Sequence, residues 1–237
     1  MRMEPQSSVA ASTDEKLIDH FQNFIAADSF PCMGAKLALN RGQIVYRLEN
    51  DLRCAPAAST VASLQQFGQD YDSDSTLFRS VVVLFRHPVM FKEWSFESAL
   101  WRYLKNMHRI DDIHHYWDPR VSNDPTSVDF SFSIGGRGYY VVGLNPGVSR
   151  AARRFSRPAL VFNLHDQFER LRTDGKYLAI RDTAIKRDTQ LEETPNPLLK
   201  PFGANSEATQ YNGHTVDHHG SCPFNARQDP PCDQFRK

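Results

Sequence analysis

Apolar positions along this chain switch between helical and strand spacing, and the switches mark its elements. Leu17, Phe21, Phe24 and Ile25 form a helical stripe. Ser12-Thr13-Asp14-Glu15 ahead of it reads as a capping box, and the helix should stop near Ser29-Phe30-Pro31. GQIVYRLEN (42–50) is rich in β-formers and predicts a strand. Residues 58–70, with Leu64 and Phe67, predict a short helix. SVVVLF (80–85) is a continuous apolar run bounded by polar residues, the signature of a strand buried on both faces. Phe96, Leu100, Tyr103, Leu104 and Met107 place a core-facing helix over 95–109.

VDFSFSI (128–134) alternates polar and apolar residues and meets GYYVVGL (138–144) across a glycine-rich turn, which predicts a hairpin. PALVFN (158–163) adds a further short strand. Asn163 is positioned to cap the helix LHDQFERLRT, and Gly175 to end it. Ile180 and Ile185 mark another helix over 176–191. Beyond Pro195 the periodicity fades into proline- and glycine-bearing loop. The pattern predicts an α+β fold, a small mostly antiparallel sheet packed with helices, with a loop-rich C-terminal segment. Residues 12–225 form one domain in this reading, with tails at 1–11 and 226–237.

Composition narrows the function classes. The chain has 237 residues, 40% of them hydrophobic, with sixteen Phe, enough for a core and an apolar ligand pocket. Its 28 basic and 28 acidic residues cancel, which removes the broad positive field that drives nucleic-acid binding and weakly favours self-association, as in a homodimer. No apolar run approaches the ~20 residues of a membrane span, and MRMEPQSSVAAS has no apolar signal core. Cys32, Cys54, Cys222 and Cys232 are widely and irregularly spaced, without C-x-x-C or C-x-x-C-H. A cytoplasmic protein without membrane or nucleic-acid partners is expected.

Candidate chemistry concentrates in 141–173. His165, Phe168, Leu171 and Arg172 share one helical stripe, so His165 points with the apolar residues. A buried neutral imidazole can ligate iron; more often it is a core histidine bonded to a carbonyl. Arg150, Arg153 and Arg154 fall at i, i+3 and i+4, one face if helical, with Arg157 close behind. Such guanidinium groups bind carboxylate or phosphate in two-pronged fashion, or form a solvated basic face. A second cluster, His214, His218, His219 and Cys222, has partial metal-ligand spacing but no glutamate between its histidines to act as a base. His108, Asp111, Asp112, His114 and His115 read more simply as a polar helix end.

An ordered set of segments gives a sharper expectation. FPCMGAK (30–36), LWRYLKNMHRID (100–111), YWDPRVSNDP (116–125), FSFSIGGRGYYVVGLNPGVSRAARRF (130–155), LVFNLHDQFERLR (160–172), RD (187–188), NPLLKPFGANSEATQYNG (196–213) and CPF (222–224) run in sequence along most of the chain. Together they resemble the YqcI/YcgG family, which includes GntA-type haem-dependent N-hydroxylases of guanidino compounds. The resemblance implies a haem b enzyme that uses dioxygen and an electron donor to hydroxylate a guanidine nitrogen of arginine or an arginine-derived amino acid. It implies His165 as the axial iron ligand and Arg150, Arg153 and Arg154 as partners of the haem propionates. A cationic guanidine also needs a carboxylate partner, for which Glu97, Asp129 and Glu207 are candidates. One position departs: the resemblance places a histidine in the VGL-x-P segment, where this chain has Asn145. Two other readings stand beside the hydroxylase, a non-haem or zinc protein built on the C-terminal His/Cys cluster and a non-catalytic haem-binding module.

Overall fold

The computed structural model describes residues 7–71, 78–87, 91–194, 196 and 206–211. Five strands form one sheet in the order β1-β2-β5-β4-β3. They are β1 (Ile44–Glu49), β2 (Ser80–Phe85), β3 (Phe132–Ile134), β4 (Arg137–Leu144) and β5 (Ala159–Leu164). β1 and β2 are parallel, joined through α3 (Ala58–Gln69). The β2–β5, β5–β4 and β4–β3 pairings are antiparallel. The mostly antiparallel sheet read from the sequence is therefore present, with one parallel edge pair.

Alternation along the strands sorts their side chains onto two faces. On one face Val81, Val83, Phe85, Val141, Leu160 and Phe162 pack against α3 and α4 (Glu93–Asp111) in the larger core. On the other face Val82, Leu84, Leu144 and Ala159 meet Leu17, Phe21 and Ile25 of α1 (Ser7–Ala26). α2 (Met33–Asn40), α5 (His165–Thr173) and α6 (Tyr177–Glu192) complete that second layer. SVVVLF reads as unbroken apolar sequence because all six of its residues are buried.

The hairpin turn is Gly135-Gly136, with φ of 62° and 70°. Two positive φ values at the centre of a two-residue connection are the twist a hairpin needs, and glycine adopts them without steric cost. Asp111, buried at the end of α4, accepts the Gly135 N–H with both carboxylate oxygens (3.0 and 2.9 Å) and so ties the turn to the helix. The polar cluster around Asp111 thus has a structural role, with Gln65 donating at 2.7 Å and His115 at 3.2 Å.

Four local expectations are corrected. α1 begins at Ser7, so Ser12–Glu15 lie inside it and residues 7–11 are helical. Asp14 instead pairs with Arg86 (2.7 Å). Asn163 lies within β5, where its Oδ1 accepts the Ser80 hydroxyl at 2.7 Å, and α5 starts from Leu164 with no side-chain cap. The arginine run forms only a three-residue 3-10 turn, Ala151–Arg153, so Arg150, Arg153 and Arg154 do not share a helical face. α2 follows FPC where the sequence reading had no helix.

Residues 206–211 fold back onto the sheet. Tyr211 is fully buried, stacked on Trp101 with ring centroids 5.6 Å apart. Its hydroxyl donates to the Tyr139 carbonyl (3.0 Å) and accepts the Phe132 N–H (3.3 Å), and its own carbonyl accepts the Gly143 N–H (2.7 Å). Gly143 permits that approach. A Cβ there would stand 2.7 Å from the Tyr211 carbonyl oxygen and 2.8 Å from the Phe96 ring.

Candidate functional site

Between the second face of the sheet and its helical layer lies a cavity of about 330 Å³, within the size range of small-molecule sites. Its floor is Ile44, Val82, Val142, Leu144 and Val161, which share this face because each lies an even number of residues from the others along its strand or sits opposite in register. Phe21 and Ile25 of α1 wall one side. Phe168 and Leu171 of α5 and Tyr177, Ile180 and Ala184 of α6 wall the other. Cys32 and Met33, at the start of α2, line a further edge.

The polar lining is cationic with one carboxylate. Arg150, Arg153 and Arg181 contribute guanidinium groups, and Asp188 is the acid in the lining among the described residues. α6 delivers Tyr177, Ile180, Arg181, Ala184 and Asp188 to the chamber at i, i+3, i+4, i+7 and i+11, one face of the helix. Arg150 and Asp188 are both buried and joined through Nη2 and Oδ2. Arg150 also donates Nη1 and Nη2 to the Thr194 carbonyl at 3.3 Å. Its Nε is buried without a hydrogen-bond partner. Removed from water, such a pair needs these extra bonds to offset its desolvation.

The arginines expected to act together divide. Arg150 and Arg153 line the chamber; Arg154 does not, and donates Nε to the Val148 carbonyl (3.0 Å) and Nη2 to that of Ser149. Arg153 donates Nη1 to the Gly143 carbonyl (3.3 Å). Both Arg153 and Arg154 thus stitch the segment after β4 to itself as well as carrying charge.

His165 lies on the same sheet face but outside the chamber lining. Its Cβ packs over Gly138, two residues back along β4 from Tyr140, where the lining begins. Its Nδ1 is 3.0 Å from Ser131 Oγ and its Nε2 2.9 Å from Glu169 Oε1. Burial holds its pKa below the ordinary histidine value, the attraction of Glu169 only partly opposing burial and the repulsion of Arg172. The imidazole is therefore neutral near pH 7. Nε2–H donates to Glu169, and Nδ1 accepts the Ser131 hydroxyl. Ser131 is itself fully buried, so this Ser-His-Glu relay does not present a nucleophile to a substrate.

The depressed pKa has a consequence for stability. The unfolded imidazole takes its proton near pH 6.5 and the folded one only at lower pH. Between those values the unfolded state binds more protons, so stability falls as pH falls below about 6.5. Burial depresses His108 in the same direction. Urea midpoints measured at about pH 7.5 and about pH 5.5 should drop on acidification, and His165→Gln should drop less. An equal drop in the variant would show that His165 does not contribute.

Two of the expected substrate carboxylates are elsewhere. Glu97 is on α4, across the sheet from the chamber. Asp129 is exposed in the connection before β3. Glu207 opens the 3-10 turn Glu207–Gln210, and its side chain lies outside the described residues. Neither Glu97 nor Asp129 is in the chamber lining. Asp166 is taken by Arg120 (2.5 Å) and Arg137 (2.7 Å). The sequence reading missed Asp188, Arg181 and Cys32; the signal for the first two was the helical stripe through Tyr177, Ile180, Arg181, Ala184 and Asp188.

Asn145, where the resemblance places histidine, is fully buried and tied to Phe91, donating Nδ2 to its carbonyl (2.9 Å) and accepting its N–H at Oδ1 (3.4 Å). The cluster His214, His218, His219 and Cys222 lies outside the described residues. Among the described residues no group of three or more His, Cys, Asp or Glu is arranged to hold a metal ion, and no helix is long and apolar enough to cross a membrane.

No curated protein and no solved structure matches the chain. Residues 21–225, which include every strand and every chamber wall described above, match the YqcI/YcgG family, and the chain belongs to that family.

Proposed function

We propose that this protein is a haem-dependent monooxygenase that hydroxylates a guanidine nitrogen of arginine or an arginine-derived amino acid, with the chamber as its active site. The observation that carries the reading is the chamber itself, an apolar cavity edged by guanidinium groups. An apolar lining suits a flat macrocycle and excludes bulk water. Guanidinium groups suit its propionates; of those in the lining, Arg150 is held by Asp188 and Thr194, Arg153 donates to the Gly143 carbonyl and Arg181 pairs with the exposed Asp182.

His165, which would hold the iron, fits less well, because it lies outside the chamber lining. His165 would have to release Ser131 or Glu169 to offer a nitrogen. Its neutral state is the one a metal ligand needs. Bound haem supplies the activation of dioxygen. In the net reaction one oxygen atom enters a guanidine N–H bond and the other leaves as water, with two electrons from a separate donor and two protons. The chain's own contribution is a dry cavity, fixed cations at its edge and a bound substrate. The commitment of both His165 nitrogens and the Asn145 substitution favour a second reading, a chamber that holds ligand without oxidising it.

Haem titration followed by absorption spectroscopy tests the cofactor assignment. A saturable Soret band is expected in wild type, and a lost or shifted band in His165→Ala. An unchanged band in the variant would keep haem and remove His165 as ligand. No band in wild type would overturn the hydroxylase reading.

A further inference from the structure

We infer that Asp188 is the specificity-determining carboxylate of the chamber, receiving the cationic guanidinium end of the substrate, with Arg150 as the residue that positions it. The inference rests on the chamber being the substrate site. It stands in place of Glu97 and Asp129, neither of which is in the chamber lining.

Asp188 is the acid in the chamber lining among the described residues, and only 5% exposed. A carboxylate withdrawn from water attracts a cation far more strongly than one at the surface. Arg150 engages only Oδ2, and it is anchored in turn by the Thr194 carbonyl. Oδ1 is left for an incoming donor. A carboxylate has about four lone-pair positions, so one guanidinium does not exhaust it. This fold already contains such an arrangement. Asp166 receives two guanidinium groups, Arg120 at Oδ1 (2.5 Å) and, more weakly, Oδ2 (3.4 Å), and Arg137 at Oδ2 (2.7 Å). Asp188 holds one guanidinium, that of Arg150, where Asp166 holds two, and Asp188 lines the cavity.

A second observation points to a ligand here. Arg150 Nε is buried and has no acceptor, and unmatched buried donors are rare in folded proteins. A ligand carrying an acceptor as well as a cation would complete both members of the pair. An amino acid bearing a guanidine has that chemistry.

Calorimetric titration of the full-length protein with L-arginine and with L-citrulline tests the assignment. The two ligands have nearly the same shape, but citrulline carries an uncharged ureido group. Arginine should bind at least about tenfold more tightly. Asp188→Asn keeps an acceptor for Arg150 and removes the charge, and it should abolish the preference. Equal binding of the two ligands by wild type would overturn the inference, whether or not the variant folds. So would a preference kept in Asp188→Asn, or no arginine binding by wild type. Failure of haem to bind, with the arginine preference intact, would remove the hydroxylase reading and leave Asp188 in place.

Discussion

Tyr211→Ala should lower the stability of the protein by about 3–5 kcal/mol, the cost usual for truncating a fully buried aromatic. Three contributions act together. The stacked contact with Trp101 is lost. The Tyr139 carbonyl and Phe132 N–H lose the hydroxyl that serves both, and buried groups left unpaired cost more than the bond itself contributed. A void opens between α4 and the sheet that Phe96 and Leu100, already packed at Gly143, are poorly placed to refill. Tyr211→Phe separates these terms, keeping the ring and removing the hydroxyl, and should cost only about 1–2 kcal/mol. Urea unfolding reads both. A Tyr211→Ala loss under about 1 kcal/mol would mean that residues 206–211 are not seated on the sheet as described.

The second large effect is expected at Arg150. Arg150→Ala leaves the Asp188 carboxylate buried without its counter-ion, which should cost about 3–5 kcal/mol. The Thr194 carbonyl loses its donor as well. If the cost is mainly the stranded charge, removing both charges should recover most of it. Arg150→Met combined with Asp188→Leu should therefore be more stable than Arg150→Ala alone. A double variant no more stable than the single one would place the cost in lost packing around the 3-10 turn. It would also mean that Asp188 is not an ionised partner of Arg150.

Much of the fold was legible in the sequence because its elements are short and their environments extreme. SVVVLF is buried along its whole length, so its composition alone marks it. The hairpin combines alternation with Gly135-Gly136, whose positive φ values few other residues tolerate. The failures have a common physical cause, in that local signals were overridden by tertiary partners. Asn163 has the chemistry of a cap, but the strand continues through it and its side chain is drawn to Ser80. Arg150, Arg153 and Arg154 have helical spacing, but Pro146 and Gly147 precede them and Pro158 follows. Their partners are three different groups, the Asp188 carboxylate and the Gly143 and Val148 carbonyls.

The candidate site was legible only by halves. The clustering of Arg150, Arg153 and Arg154 left an anion site and a solvated basic face equally open, and the lining contains the first two. His165 does sit on the chamber's side of the sheet, yet periodicity within a nine-residue helix could not reveal that Ser131 and Glu169 hold both its nitrogens. Asp188 was read only as part of a short Arg-Asp pair. Its meaning depends on α6 packing its face over a sheet formed far earlier in the chain, and no local pattern carries that.

Product formation by the haem-reconstituted protein tests the central claim most directly. Incubation with arginine, a chemical reductant and dioxygen, followed by mass spectrometry, should yield arginine bearing one added oxygen on its guanidine. Val161→Trp, which fills the chamber floor from the middle of β5, should cut the yield at least about tenfold while far-UV circular dichroism shows the fold retained. No product from haem-loaded wild type, or product undiminished in Val161→Trp, would contradict the account.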